Sequence, residues 1–294
     1  MPNTKPYFSI VIPSLNEENY LPNLLADLLK QTFFLDKFEV IVVDGFSEDK
    51  TKQKALEFQD RLKLRFFSVK KRHVSYQRNL GAKKATGEWI LFMDADDRLP
   101  PYFLDGIKYQ IAKHNSRGVI TALVDIQENS AQAQAISRSI NLGMLLFNKL
   151  KFQGAIGGFI GAHRDVIQAG IAFDEKQKVY EDAFFVQSAI KAGFEFNIFD
   201  EPRWHFSLRR YHKEGLLKIS ASVARLNLRF IAGKITGADF KDVDYGYVMK
   251  GGSYYLTQAD NRNSVVALNR FLRSASGAQL MKVKALFKKV KDKL

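Results

Sequence analysis

An α/β fold, with a mostly parallel central sheet and helices on both faces, is what this sequence predicts, and three observations predict it. Short apolar, β-branched runs bounded by polar residues recur through the first half, the clearest being Trp89-Ile90-Leu91-Phe92-Met93. A run of this kind reads as a strand buried on both faces. Most runs are followed by a segment of helical period, the alternation that builds right-handed βαβ units. The runs also end in polar or acidic side chains, at the strand ends where open α/β sheets gather their ligands.

Taken in order, Tyr7 to Ile12 is the first strand, ended by Pro13-Ser14. Leucines at helical spacing follow from about Asn19 to Lys30. Pro22 is tolerable only in a first turn, which places the helix start near Asn19 or Tyr20. Phe38 to Val43 is the second strand, closing on Asp44-Gly45, and Ser47 is expected to cap a helix beginning near Glu48. Leu62 to Val69 is the third strand, and a helix from about Val74 to Ala85 leads through Gly87 into the central strand. Pro100-Pro101 opens a helix through Ala112, and Gly118 to Val124 forms another strand. An apolar-periodic helix ends near Ala192, before a strand from Phe194 to Phe199.

Composition narrows the classes of function. With 294 residues and 46% hydrophobic content, the chain can bury one large core or two smaller ones. It contains no cysteine, which excludes a disulfide framework, Cys-ligated zinc, Fe–S clusters and thiol catalysis. The N-terminal residues lack a secretory pattern, and no apolar run is long enough to cross a bilayer, so a cytoplasmic protein is expected. A formal charge of +14, concentrated between Arg61 and Lys84 and in the C-terminal tail, favours anionic partners without choosing among phosphates, nucleic acid and lipid headgroups.

The strand ends carry Asn16 and Glu17, Asp44, and the triplet Asp94, Asp96 and Asp97. In a doubly wound sheet these ends point the same way, so the side chains can line one crevice. Clustered carboxylates repel one another unless a cation or proton relieves them. Taken singly, Asp44 also reads as a turn residue supporting Gly45, and Asp94-Ala95-Asp96-Asp97 as a solvated turn with Asp97 near a helix cap.

Four segments together resemble a known family: Phe8-Ser-Ile-Val-Ile-Pro-Ser-Leu-Asn-Glu-Glu18, Val40-Ile-Val-Val-Asp-Gly-Phe-Ser-Glu-Asp-Lys-Thr51, Gln77-Arg-Asn-Leu-Gly81 and Ala85-Thr-Gly-Glu-Trp-Ile-Leu-Phe-Met-Asp-Ala-Asp-Asp97. In this order they are similar to the family 2 glycosyltransferases with a GT-A fold, over roughly the first two hundred residues. The resemblance implies a nucleotide-sugar donor, Mg²⁺ or Mn²⁺, and transfer with inversion. It assigns Asp94 and Asp96 to the Asp-x-Asp motif, with Asp96 the direct metal ligand and Asp94 nearer the ribose. Pro13, Asn16, Glu17 and Asp44 match the donor-binding loops, and Arg78 matches the arginine of Arg-Asn-x-Gly, pairing with Asp44 or Asp94 or approaching the donor. Asp44-Gly45-Phe46-Ser47 departs from the commoner family form, which has a second aspartate and then Gly-Ser.

The second half is expected to accept the other substrate. Gly154 to Gly161 lacks the Lys-Ser/Thr of a phosphate cradle and reads as a close-packed strand or a tight sugar-facing turn. Glu181 and Asp182 open a helix, where acids complement the macrodipole. Within the resemblance they fall on the family's Glu-Asp pair, with Asp182 the general base and Glu181 orienting the acceptor. Arg203 to Gly215 interleaves basic and aromatic side chains, suited to a pyrophosphate and a sugar ring, to RNA, or to a solvated loop with Trp204 in the core. A Ser-x-Arg-Arg likeness makes Arg209 and Arg210 candidates for diphosphate contacts, and His205 is a candidate third metal ligand.

Helices are expected around Leu216 to Ala232 and Val265 to Ser274. Leu280 to Leu294 places Leu280, Val283, Phe287, Val290 and Leu294 on one helical face among six lysines. Such a helix fits an anchor on the anionic inner face of the membrane, or a helix packed on the domain, or a frayed tail. The whole reads as a GT-A domain over residues 1–215, nucleotide-binding to about 125 and acceptor-binding from 126, followed by a helical extension over 216–294. The expected activity is sugar transfer from a nucleotide-sugar, a UDP-sugar in preference, to a glycan or lipid-linked acceptor. The alternatives are a GT-A-like nucleotidyltransferase and a non-enzymatic RNA- or phosphate-binding module. Nucleic acid is disfavoured because aspartates at the strand ends would repel a polyanion.

Overall fold

In the computed structural model, residues 5–149, 154–155, 158–177, 179–215, 218–219 and 251–256 are described. Seven strands form one sheet: β1 (Phe8–Ser14), β2 (Phe38–Asp44), β3 (Leu64–Ser68), β4 (Trp89–Met93), β5 (Val119–Asp125), β6 (Phe159–His163) and β7 (Phe196–His205). Their order is β3-β2-β1-β4-β6-β5-β7. Every neighbouring pair is parallel except those made by β6, which runs antiparallel to β4 and β5. The helices are α1 (Leu21–Leu29), α2 (Thr51–Leu56), α3 (Val74–Lys84), α4 (Phe103–His114), α5 (Ala131–Lys149), α6 (Arg164–Gln168), α7 (Glu181–Lys191) and α8 (Arg209–Glu214).

The uninterrupted apolar runs are explained by burial on both faces. Every residue of β1, β2 and β4 is buried. Alternation then assigns each side chain a layer. Phe8, Ile10, Ile12, Val40 and Val42 pack with Leu24, Leu25 and Phe103 on one face. Val11, Ile41, Val43 and Phe92 pack with Ala82 and Phe185 on the other. From β1 the order runs outward through β2 and β3 on one side and starts again with β4 on the other. The carboxyl ends of β1 and β4 therefore flank a topological switch point, the place where a crevice opens in such sheets.

One expectation about the elements is corrected, and two features were not anticipated. Ser47 does not cap α2, which starts at Thr51 with Lys50 at its N-cap; the Ser47 hydroxyl is instead held by Asp44. The Gly-rich stretch yields β6, the close-packed strand, and its antiparallel direction was not anticipated. A Cβ at Gly161 would lie 2.6 Å from Ile120, so only glycine lets β5 approach there. The long α5 was not anticipated either. Its stripe is interrupted by polar residues, and Leu142, Leu145 and Leu146 stay exposed.

The chain divides into two compact units, Met1–Leu208 with Gly237–Leu256, and Arg209–Thr236 with Thr257–Leu294. The first holds the sheet, α1 to α7 and a short 3₁₀ turn, Gly252–Leu256. The second contributes α8, in which Arg210 Nε lies 3.5 Å from Glu214. The expected helices at 216–232, apart from Lys218 and Ile219, and at 265–274, and the basic helix at 280–294, lie outside the described residues. Among the described residues no helix is long and apolar enough to cross a membrane.

Candidate active site

Two loops close one side of the crevice by exchanging hydrogen bonds. After β1, the Asn16 N–H donates to Ser47 Oγ at 2.7 Å and the Glu17 N–H to Thr51 Oγ1 at 2.8 Å. In return the Glu48 N–H donates to Asn16 Oδ1 at 2.8 Å and the Lys50 N–H to Glu18 Oε2 at 3.0 Å. Pro13 lies buried in β1 opposite Val43, and Glu17 is 5% exposed. Asp44 is the hub of these loops. It is 2% exposed and accepts from the Ser47 N–H at 2.9 Å, from the Ser47 hydroxyl, and at 3.4 Å from both Ser14 and Ser68. With its oxygens so occupied, Asp44 holds the loop.

The loop geometry is strained at two residues. Asn16 and Phe46 have φ of 53° and 61°. Asparagine tolerates this region, whereas a bulky aromatic there is a steric outlier. Phe46 occupies the place where the commoner family form has glycine, and its side chain is 54% exposed.

A distant segment also clamps this loop, which sequence reasoning missed. The Gly252 N–H donates to Leu15 O and the Ser253 N–H to Asn16 O, each at 3.0 Å. A Cβ at Gly252 would come within 2.5 Å of both Asn16 O and Glu17 Oε2, so the contact requires glycine. The available signal was Gly251-Gly252 followed by Tyr254-Tyr255 in a Gly- and Tyr-rich connection.

The floor of the crevice is acidic. β4 ends in a turn in which the Asp97 N–H donates to Asp94 O and the buried Asp97 carboxylate accepts from the Asp94 N–H at 3.1 Å. Asp97 thus shapes the turn, while Asp94 and Asp96 are half-buried at the surface it presents. The turn is braced from behind: Arg98 grips Asp27 of α1 at 2.5 and 2.8 Å, and its backbone pairs with His205 at the end of β7.

Arg78 ties this floor to the other wall. It is 1% exposed, with Nη2 2.9 Å from Asp94 and Nη1 3.1 Å from Glu181, and it lies over the Phe173 ring. Burial opposes its charge, but Asp94, Glu181 and Asp182 together outweigh that and raise its pKa. The neighbours of Arg78 on α3 extend the same logic. Gln77 donates to Ser14 O and Val43 O, locking the ends of β1 and β2. Asn79 exchanges two hydrogen bonds with the Phe173 backbone, fixing the chain that leads to α7. Three consecutive residues therefore secure the ends of β1 and β2, the acid cluster and the approach to the second wall.

Glu181 and Asp182 form the first turn of α7, behind Tyr180 at φ 59°. Desolvation, followed by the neighbouring Glu181 charge, pushes the Asp182 carboxyl up to about 7, against the opposing pull of the Ala183 N–H and Arg78. A carboxylate that binds a proton near neutrality suits a group that must take one up during turnover.

A Mg²⁺ or Mn²⁺ ion would find two carboxylates here, Asp94 and Asp96. Among the described residues no three His, Asp or Glu side chains form a group able to hold an ion. Two carboxylates could hold a cation only where substrate phosphates and water completed its shell, as Mg²⁺ commonly binds. Burial pulls the His205 pKa down, and its Nδ1 is buried without a hydrogen-bond partner, yet the ring does not join the two aspartates in such a group. Arg209 and Arg210 open α8 in the second unit.

A doubly wound sheet with an acidic turn at its switch point, facing a helix that opens on Glu-Asp, defines the GT-A class of α/β folds. The chain belongs to glycosyl transferase family 2, whose family model matches residues 9–170. It is 26% identical over 241 residues to the poly(ribitol-phosphate) β-N-acetylglucosaminyltransferase TarS of Staphylococcus aureus, and 24% identical over 209 residues to the minor teichoic acid biosynthesis protein GgaB of Bacillus subtilis. These alignments cover 80% and 69% of this chain but 41% and 23% of the relatives, so the chain spans less than half the length of either. A crystal structure of TarS with UDP-GlcNAc superposes with a TM-score of 0.57 at 25% identity, over 68% of this chain and 58% of that one. The mannosyltransferase PcManGT of Pyrobaculum calidifontis, solved with GDP-Man and Mn²⁺, shares the fold at 17% identity and a TM-score of 0.62, over 86% of this chain and 68% of that one.

Proposed function

We propose that this chain transfers a sugar from a nucleotide-diphosphate donor, a UDP-sugar, to the hydroxyl of a glycan or lipid-linked acceptor of the teichoic acid kind, with inversion at the anomeric carbon. The observation that carries this reading is the buried Arg78 guanidinium. It joins Asp94 of the Asp-x-Asp turn to Glu181, next to a carboxyl poised near neutrality. In this reading the donor and the base flank one crevice, as a direct displacement requires. The relatives' names and the UDP-GlcNAc seen with TarS support the choice of donor and acceptor.

In this reading Pro13, Asn16 and Glu17 line the nucleoside pocket, and Asp44 holds the loop that shapes it. Asp96 and Asp94 would hold a divalent cation, which would supply Lewis-acid neutralisation of the leaving group. Arg78 keeps the acid cluster compact. Asp182 takes the acceptor proton as that oxygen attacks the anomeric carbon and the bond to the nucleoside diphosphate breaks; Glu181 orients the acceptor. Arg209 and Arg210 keep their assignment to the diphosphate on the strength of the sequence resemblance. In this reading the reaction is cytoplasmic.

The test is a thermal-shift series with UDP, GDP and dTDP, each with and without Mn²⁺, on the natural chain and on Asp96→Asn. A ligand bound by the folded state raises stability by mass action. The expected result is a shift that needs UDP and Mn²⁺ together and disappears in the variant. No shift with any nucleotide at millimolar concentration would end the donor-site reading. Turnover that released pyrophosphate instead of nucleoside diphosphate would make the chain a nucleotidyltransferase.

A further inference from the structure

The edge of the sheet opposite the crevice has a different chemistry. Tyr7 precedes β1 and Glu88 precedes β4, and around them opens a cavity of about 580 Å³. Its cations are Lys5, Lys37, Lys108 and Arg164, and its aromatic side chains are Tyr7, Phe33 and Phe34. Against the four cations stand Glu88 in the lining and Asp36, 3.8 Å from Lys37 at the rim. Lys108 is held over the Tyr7 and Phe33 rings at 5.4 and 5.5 Å, which fixes its ammonium at the cavity. Arg164 is anchored by carbonyls of the turn at Ala85 and Gly87.

At the mouth of this basic hollow, two large apolar side chains face outward in succession. Phe34 is 75% exposed and Leu35 is 39% exposed, at the start of the 3₁₀ turn that leads into β2. A single exposed apolar residue needs no explanation, but an adjacent pair set among lysines is the pattern of a surface that enters a lipid headgroup layer.

We propose that this amino-terminal end of the sheet docks on an anionic lipid bilayer, with Phe34 and Leu35 inserted at the boundary of headgroups and acyl chains and Lys5, Lys37 and Lys108 contacting lipid phosphates. Charge complementarity selects the occupant: an excess of cations around an apolar tip matches an anionic membrane, whereas a neutral apolar partner would leave the lysines desolvated and unpaired. The docking has a corollary, which rests on the sugar-transfer reading. The crevice lies at the far end of strands of up to seven residues in this part of the sheet, roughly 20–25 Å above the headgroups. An acceptor hydroxyl reached at that height belongs to an extended polymer rather than to a sugar next to its lipid.

The experiment is flotation of the full chain with vesicles of phosphatidylglycerol and phosphatidylcholine mixed in equal parts, against vesicles of phosphatidylcholine alone. It is repeated for Phe34→Ser combined with Leu35→Ser, and for Lys37→Glu. Binding is expected to anionic vesicles only, to weaken with salt, and to fall roughly tenfold or more in the double variant, in keeping with loss of a buried aromatic side chain. Because these side chains are exposed, thermal midpoints and nucleotide binding should be unchanged, so failure of the docking is separable from failure of the donor site. Three results would overturn the proposal: no binding of the natural chain to anionic vesicles, equal binding of the double variant, which would put the contact elsewhere in the chain, or displacement of the bound chain by soluble glycerol phosphate, which would make the cavity a site for a free phosphate ester.

Discussion

Asp44 and Asp182 are both acids at the walls of one crevice, and the difference between them separates the two jobs of the site. Asp44 is satisfied on all sides by the Ser47 backbone and by three serine hydroxyls, Ser14, Ser47 and Ser68. A carboxylate so supplied with donors has its cost of burial offset locally and is held in one orientation. Asp182 accepts from the Ala183 N–H beside it and otherwise faces Glu181 and Asp94, with Arg78 as the compensating charge. Hydrogen bonding fixes a carboxylate in place, whereas like charge and desolvation leave one ready to bind a proton.

The largest test of this comparison removes the charge that separates the two cases. Arg78→Ala should leave Asp94 and Glu181 without their buried counter-ion, at a cost of about 3–5 kcal/mol. A fall in the melting midpoint of about 10 °C is expected, measured by calorimetry with sugar transfer assayed in parallel. Arg78→Lys should recover only part of it, because an ammonium cannot span both partners as the guanidinium does.

Next in size is the clamp on the donor wall. Gly252→Val should force Gly252–Leu256 away from Asn16 and Glu17, weakening UDP binding roughly tenfold for loss of two backbone hydrogen bonds. The change should appear in KM for the donor while kcat at saturation is nearly kept, and calorimetric titration with UDP is the check. An unchanged affinity would mean that the segment does not support the pocket.

The contrast can be sharpened by pH. Because the Asp182 carboxyl is pushed up to about 7, a base at Asp182, as proposed, would be protonated and inactive below that value. The acid limb of kcat/KM, which reports the free enzyme, should therefore fall near pH 7 rather than near 4. The sign for stability is opposite: a raised carboxyl pKa favours the folded state at low pH, and that contribution is lost as pH rises through 7. Asp182→Asn should accordingly melt about 2 °C or more above the natural chain at pH 8, with no gain at about pH 3, where the carboxyl is protonated in the folded and the unfolded chain alike.

The smallest effect concerns Phe46. Phe46→Gly removes an aromatic side chain from positive φ, and after the added flexibility of glycine in the unfolded chain a gain of about 0.5–1 kcal/mol remains. Urea denaturation would measure it. A loss of stability would mean that the exposed ring makes contacts stronger than its backbone strain.

Much of this architecture was legible because its physics is local. Strands β1, β2 and β4 are buried on both faces, so their residues had to be apolar without alternation, and their polar ends stood out by contrast. Pro22 and Pro100-Pro101 placed helix starts to within a few residues. The direction of β6 was hidden, since Phe159-Ile160-Gly161-Ala162-His163 reads the same whichever way it runs. The partners of Arg78 were hidden for another reason: Asp44 and Asp94 are equally acidic in sequence, and only the packing of α3 on the sheet brings Asp94 within reach. The Gly252 clamp joins residues more than two hundred positions apart and leaves no periodic trace. The proton affinity of Asp182 depends on desolvation and on neighbours brought together by folding.

The most direct measurement is sugar transfer from a UDP-sugar that the natural chain uses, by Asp182→Asn, with UDP binding in the presence of Mn²⁺ measured on the same preparation. The account predicts that UDP binds as tightly as to the natural chain while transfer falls by about 10²–10⁴-fold, the usual contribution of a general base. Transfer at the natural rate in this variant, with UDP bound, would contradict the assignment of the base and the comparison built on it.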